Sequence, residues 1–248
     1  MSDSVEGKIV VVIGGTGGIG VATSTRFAAA GARVVVAGQS VERAQEVVKA
    51  LPGSGHYAAA VSITDSSTLT QLALDVAGRY GHADVLVNTA GFTKPIPHAD
   101  LDALTDEIID DIMRVNWRAQ FAAVRAFRGL LEKSGAGLIV NVSSISGSNG
   151  IGSNIAYCAA KAGLDVMTLS LARVLAPRVR ILNVSPGVVD TGFVPGRSVD
   201  FNDKVASTTP LRRIGSAEDI AQAIEACATH MTFSTGTTFV VDGGRRLG

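Results

Sequence analysis

Tyr157 and Lys161 stand four residues apart in the run Tyr157-Cys158-Ala159-Ala160-Lys161. The residues around them, Ala156, Ala162, Leu164, Met167 and Leu171, follow a helical pattern. At this spacing on a helix the phenol and the ammonium share one face. A phenol titrates near pH 10 and is a poor acid or base at neutrality. A cation beside it favours the phenolate and lowers that value, so a tyrosine tuned in this way can exchange a proton with a substrate oxygen. Tyr-x-x-x-Lys is also a common exposed pair with no task, so the rest of the chain has to decide.

Nucleotide chemistry is the context offered first. Residues 8–13, Lys-Ile-Val-Val-Val-Ile, read as a buried strand, and residues 21–30 read as a helix closed by Gly31. Between them lies Gly14-Gly15-Thr16-Gly17-Gly18-Ile19-Gly20. A glycine-rich turn from strand to helix brings a pyrophosphate against bare backbone at a helix N-terminus. The next strand, 33–37, ends at Gly38-Gln39-Ser40. A carboxylate there would hold a ribose 2′-hydroxyl, and an arginine would accept a 2′-phosphate. Neither stands at Gly38 or Gln39, while Ser40 and Arg43 open the following helix (41–51) within reach of a phosphate. The balance tips toward NADP(H) over NAD(H).

Strands near 57–61 and 84–87 follow, with a helix to residue 80 between them that is capped by Asp65 or Ser66. After the fourth strand comes Asn88-Thr89-Ala90-Gly91. A long helical region over about 101–131 contains Asn116, a mild misfit in mid-helix that either faces solvent or has a buried role. The fifth strand, 138–142, runs into Ser143-Ser144-Ile145-Ser146-Gly147, and a sixth, 179–184, into Ser185-Pro186-Gly187. Residues 239–242 form the last strand, after a helix capped by Ser216. Alternating strands and helices predict a parallel sheet with right-handed crossovers, and ligands bind such sheets at the carboxyl ends of the strands. The fold class expected is α/β, a Rossmann-type doubly wound parallel sheet of about seven strands with helices on both faces, in one domain over 1–248.

The totals narrow the classes of partner. The 248 residues carry 22 basic and 22 acidic side chains, so no excess of charge suggests nucleic acid or an acidic membrane. Cys158 and Cys227 have no metal or redox spacing and fit a reducing compartment. His56, His82, His98 and His230 share no pattern. No metal site is expected. The N-terminus lacks a signal-peptide layout, and no apolar run approaches the roughly 20 residues of a membrane span. The expectation is a soluble cytoplasmic protein.

Taken together, the chain resembles the short-chain dehydrogenase/reductase family from end to end. The family's glycine motif lies over residues 13–20, with Gly14, Gly18 and Gly20 matching, and its Asn-Asn-Ala-Gly lies over 88–91. Its active-site serine precedes the tyrosine by thirteen residues, which selects Ser144 over Ser143. Tyr157, Lys161 and Asn116 match its remaining catalytic positions, and Pro186, Gly187 and Thr191 match its Pro-Gly-x-x-x-Thr element. Three departures stand out: Ile13 in place of a threonine, Thr89 in place of the second asparagine, and Ser62 in place of an adenine-contacting aspartate, where the backbone of Ile63 could still serve. The resemblance implies hydride transfer between a nicotinamide and a carbonyl/secondary-alcohol pair. Ser144 would hold the substrate oxygen, Tyr157 would move the proton, and Lys161 would lower the tyrosine's pKa and bind ribose hydroxyls. Asn116 would hold a water linking Lys161 to solvent. Cofactor contacts are implied for Gly14, Thr16, Gly17, Gly18, Ile19, Gly20, Gln39, Ser40, Arg43, Ser62, Ile63, Asn88, Ala90, Gly91, Pro186, Gly187, Val189 and Thr191. Phe92, Ser144, Ser146, Asn154, Val188 and Phe193 would meet the substrate, beside Thr93, Asn149 and Ile151. The aperiodic stretch 189–212 reads as a lid, in which Arg197, Lys204, Arg212 and Arg213 either meet an anionic substrate or, the favoured reading, form a solvated face. A homotetramer or homodimer is expected, its tail at 245–248 packing on another subunit. A catalytically silent nucleotide sensor of the same fold is the alternative, but it would be expected to have lost one of Ser144, Tyr157, Lys161 and Asn116.

Overall fold

The computed structural model describes residues 4–196, 198 and 200–247. Arg197, Gly248 and the first three residues lie outside the described residues. The strands are β1 (Ile9–Ile13), β2 (Arg33–Gly38), β3 (Tyr57–Ala60), β4 (Val85–Asn88), β5 (Gly137–Val142), β6 (Val179–Pro186) and β7 (Thr237–Val241). They form one sheet in the order β3-β2-β1-β4-β5-β6-β7, and every neighbouring pair is parallel. The order reverses between β1 and β4, which opens a crevice at their carboxyl ends. The expected Rossmann-type sheet is therefore present.

Strand composition explains the layering. In β1 all five side chains are apolar and buried, and alternate residues point to opposite faces. Ile9, Val11 and Ile13 join one core with α3 (Ser66–Tyr80), α5 (Ala119–Lys133) and α7 (Ile155–Leu175). Val10 and Val12 join a second core with α1 (Gly18–Ala29), α2 (Val41–Ala50) and α9 (Ala217–Thr229). Arg26 fastens α1 to α9 through Glu218 at 2.6 Å and Glu225 at 2.5 Å. α7 is long and apolar enough to cross a bilayer by composition, but half of that apolar window is buried inside the protein. It is the core helix of one face.

Two segments differ from the reading of the sequence. The expected helix over 101–131 is broken into α4 (Asp106–Met113), a π-helical turn at Arg114–Arg118 and α5. A π turn absorbs one extra residue and is frequent at functional sites; Asn116 sits inside it and is fully buried. The stretch 189–212 is only partly irregular, because Phe201–Thr208 forms the helix α8. A further short helix, α6 (Ser146–Asn149), precedes α7 where a plain loop was expected.

A polar ladder crosses the α7 face of the sheet. Asn88, Asn141, Asn183 and Thr238 occupy one register on four adjacent strands. Asn88 donates to Asn141 at 2.9 Å, and Asn141 donates to Asn183 and to Thr168 of α7 at 3.2 Å each. Asn183 in turn donates to Asp165 of α7 at 2.7 Å. Buried amides cost stability unless satisfied, and the ladder pairs most of these atoms, with Asn88 Oδ1 left without a hydrogen-bond partner among the described residues. Asn141→Leu keeps the volume but strands three partners, so it is expected to lower stability by about 2–4 kcal/mol. Urea unfolding checks this: the midpoint should fall with an unchanged slope, and an unchanged midpoint would remove the ladder from any account of stability.

Candidate active site

The site is assembled at the carboxyl edge of β1, β4, β5 and β6. The glycine turn leaves β1 with Gly14 at φ +85°, a left-handed conformation that favours glycine. A Cβ on Gly14 would lie 2.5 Å from the backbone nitrogen of Ala90, and one on Gly20 would lie 2.1 Å from the carbonyl of Gly14. Gly14 and Gly15 both donate to the Ala37 carbonyl at 2.9 Å. α1 opens at Gly17 with no side-chain cap and no acid in its first turn. Bare amides and an unopposed helix dipole suit a phosphate, so these residues fit a dinucleotide. Thr16 packs against Gly38, at the end of β2. Thr191 reaches back over the turn, its methyl 2.9 Å from the place a Gly18 Cβ would take.

Where β2 ends, Ser40 caps α2 by accepting from Arg43 N at 3.2 Å, and it donates to the Glu42 carboxylate at 2.7 Å. That hydrogen bond holds the Glu42 carboxyl below its ordinary range. The Arg43 side chain is exposed and makes no ion pair among the described residues. A free arginine and an acid therefore stand side by side where a 2′-phosphate would be read. Ser62 is held by Thr68, which accepts from its N–H at 3.2 Å and donates to its carbonyl at 2.9 Å.

Tyr157, Lys161 and Ser144 come together as the spacing implies. Asn154 caps α7, its Oδ1 accepting from Tyr157 N at 2.7 Å and its Nδ2 donating to the Lys94 carbonyl at 2.7 Å. Ile112 of α4 packs on Ala156, Tyr157 and Ala160 and holds the first turns of α7 from the other side. Lys161, 3 % exposed, donates from Nζ to the Val142 carbonyl at 2.8 Å. Ser144 lies close enough to the Tyr157 hydroxyl to oppose the rise in its pKa, and it accepts from Ser146 N at 3.2 Å.

The electrostatics differ from the expectation that Lys161 lowers the tyrosine's pKa. Burial pushes the Tyr157 phenol well above its ordinary value, opposed by the Ser144 hydroxyl. Nζ of Lys161 lies 5.7 Å from the ring centroid and gives one of its three donors to a carbonyl. Burial also pulls Lys161 down to about 8, against the attraction of Asp165. The protonated phenol is thus the favoured form, ready to donate a proton. Cys158, beside Tyr157, has its thiol pushed up by burial and is not a ready nucleophile.

Position decides several other expectations. The Asn88 side chain is buried in the ladder rather than turned to the cofactor crevice. Asn116 is committed to backbone at both ends of its amide: Nδ2 donates to the carbonyls of Phe92 (2.7 Å) and Ile112 (2.9 Å), and Oδ1 accepts from Phe92 N at 3.2 Å. Its side chain anchors the loop after β4. Gln120, which the sequence reading passed over, does the same at the Ala90 carbonyl, 2.9 Å away. Phe92 and Asn154 do not line the cavity beside Tyr157, whereas Ser144, Ser146, Val188 and Phe193 do. An asparagine just before an apolar helical run is a cap signal, and that signal would have placed Asn154.

The cavity holds about 1040 Å³. Ser144, Tyr157 and Lys161 line it together with a largely apolar set that includes Pro95, Ile96, Pro97, Val194, Pro195 and Phe201. Phe193 leans on Tyr157, ring centroids 6.0 Å apart.

Known proteins bear on this geometry directly. Residues 14–246 match the family described as enoyl-(acyl carrier protein) reductase. A ketoacyl reductase of the granaticin polyketide synthase of Streptomyces violaceoruber is 39 % identical over 252 residues, covering 99 % of each chain. The 3-oxoacyl-[acyl-carrier-protein] reductase FabG of Escherichia coli K12 is 33 % identical over 241 residues, covering 96 % of this chain and 97 % of its own. The solved structure of a short-chain dehydrogenase/reductase from Burkholderia xenovorans superposes with a TM-score of 0.90 at 31 % identity, over 98 % of this chain and 99 % of that one. Sheet order, crevice and relatives agree: this chain belongs to the short-chain dehydrogenase/reductase family of oxidoreductases.

Proposed function

We propose that the protein reduces a ketone to a secondary alcohol with NADPH, with 3-oxoacyl compounds as the leading substrate class. The observation that carries this reading is the convergence of the Ser144 hydroxyl, the Tyr157 phenol and the Lys161 ammonium on one largely apolar cavity. Bound nicotinamide supplies the hydride; the chain supplies position and the proton. Ser144 donates to the substrate oxygen and fixes it beside the phenol. Tyr157, kept protonated by burial, gives its proton to that oxygen as charge develops there. Lys161 brings a positive charge to the ribose end of the cofactor. Two relatives named as ketoacyl reductases support the direction and the substrate class. The described residues of 189–212, among them Phe193, Val194 and Phe201, line the cavity and serve as its lid, and the protein works in the cytoplasm.

Tyr157→Phe removes the proton donor but keeps the ring, so turnover is expected to fall by about 10²–10⁴-fold while nucleotide affinity is largely retained. Steady-state assays and nucleotide fluorescence measure the two. Retained turnover would take the proton transfer away from Tyr157.

Lys161 sets a pH limit in the free enzyme. Its folded-state pKa is pulled down to about 8, so the ammonium is present below that pH and lost above it. The expected profile of kcat/KM for NADPH falls as pH rises through about 8. A profile level to the ordinary lysine range would exclude a need for the charged form.

Cofactor choice rests on Arg43 and Glu42. Arg43→Ala is expected to weaken NADPH about three- to fivefold against NADH, and Glu42→Gln to strengthen it by a similar factor, as exposed charges allow. Paired titrations with both nucleotides decide; no change in either variant would move phosphate recognition elsewhere.

The reading extends to a homotetramer. Trp117 of the π turn, Phe121 of α5 and Val166, Leu169 and Val174 of α7 are exposed apolar side chains, and β7 is a free sheet edge. Such surfaces are usually covered. Light scattering should give four times the 25.5 kDa chain mass; a monomer at micromolar concentration would refute it.

A further inference from the structure

Three described basic side chains of the segment 200–213 have partners of their own. Lys204 pairs with Asp200. Arg213 makes a bidentate pair with Asp219 at 2.6 and 2.7 Å. Arg212 donates to the Ser207 carbonyl. None of these three lines the cavity. Arg245 does. It follows β7 at the start of a 3-10 turn, Arg245–Leu247, and is half-buried. Its Nη1 donates to Thr208 Oγ1 at 3.2 Å and, at 3.5 Å, to the Val205 carbonyl. Among the described residues no carboxylate pairs with it, and Nε and Nη2 have no hydrogen-bond partner.

The turn that aims Arg245 is tightly built. Gly243 and Gly244 adopt φ of +63° and +84°. Gly244 abuts Pro210, and Asp242 abuts Gly187 of the Pro-Gly element. Asp242 is occupied by backbone, accepting from Gly244 N at 2.8 Å and Arg246 N at 2.9 Å. The described lining of the cavity contains no aspartate or glutamate; its fully cationic members are Lys161 and Arg245. A half-buried guanidinium with unused donors, in a largely apolar cavity whose described lining holds no acid, is matched by an oxyanion.

We propose that Arg245 is a specificity residue that binds an anionic group, carboxylate or phosphate, at the end of the substrate remote from its carbonyl. The substrate is then a ketone, an apolar spacer and an oxyanion. The inference rests on the reductase reading of Ser144, Tyr157 and Lys161.

The test uses NADPH and matched methyl ketones with spacers of increasing length, ending in a carboxylate, a phosphate or a methyl ester. The wild type should prefer one anionic series over the ester, and the preferred end group tells carboxylate from phosphate. Arg245→Met should reduce the anion-to-ester ratio of kcat/KM about tenfold or more, chiefly through KM, and Arg245→Lys should recover part of it. Arg245→Gln serves in its place if that variant does not fold. A guanidinium that merely clamps α8 would change anion and ester alike, so an unchanged ratio overturns the proposal, as does a wild type indifferent to charge. If the wild type reduces none of the ketones, the reductase reading is what fails. Saturation-transfer NMR of the same compounds then judges Arg245: anion-selective binding lost in Arg245→Met upholds it, and absent or unselective binding overturns it.

Discussion

One buried hydrogen bond governs the site, that from the Lys161 ammonium to the carbonyl of Val142. It ties the second turn of α7 to the last residue of β5 and so sets how far Tyr157 stands from Ser144. Holding a cation there has a cost. The lowered pKa corresponds to about 3 kcal/mol, present in full below about pH 8 and fading as pH rises toward the ordinary lysine value. The sheet and the amide ladder beneath α7 must supply that stability, because Asp165 and Thr168, one and two turns beyond Lys161, are bonded into it. The reactive group and the rigid scaffold are thus two ends of the same helix.

The departures at Ile13 and Thr89 resolve as a pair. The Thr89 hydroxyl donates to the Ile13 carbonyl at 3.0 Å, and the N–H groups of Thr89 and Ala90 point to the same oxygen at 2.9 and 3.2 Å. Ile13 itself is fully apolar and buried in the sheet. The link between the ends of β1 and β4 therefore runs from the second strand's hydroxyl to the first strand's backbone, and it needs no polar side chain at position 13.

Much of this was legible in the sequence for identifiable reasons. The strands were visible because buried parallel strands are continuous apolar runs, as in β1. Tyr157 and Lys161 were visible because a helical repeat fixes where a side chain must go, while a strand end pointed only to the hydroxyls after β5 and the family resemblance selected Ser144 among them. The π turn was hidden: its one-residue excess leaves the apolar pattern of 101–131 looking like a single helix. Asn154 and Asn88 were misassigned because asparagine suits a ligand contact, a helix cap and a sheet ladder equally, and only packing chooses among them. The upward shift of Tyr157 was equally hidden, since spacing brings a lysine near but says nothing of where its ammonium bonds. Arg245 was read as part of a tail because nothing local shows that β7 lies beside β6 and delivers the chain's last residues to the cavity.

The π turn at Arg114–Arg118 also fixes a rotational phase. Each residue of an α-helix advances it by about 100°, so the extra residue turns everything after it by that angle relative to α4. Ile112, before the turn, faces Tyr157; Phe127 and Leu131, after it, face the sheet; Asn116 and Gln120 face the loop after β4. The π turn sets these directions relative to one another. Deleting one residue there would restore a regular helix and put the two halves out of gear, so the length of this segment is constrained as tightly as the identity of the residues that touch substrate.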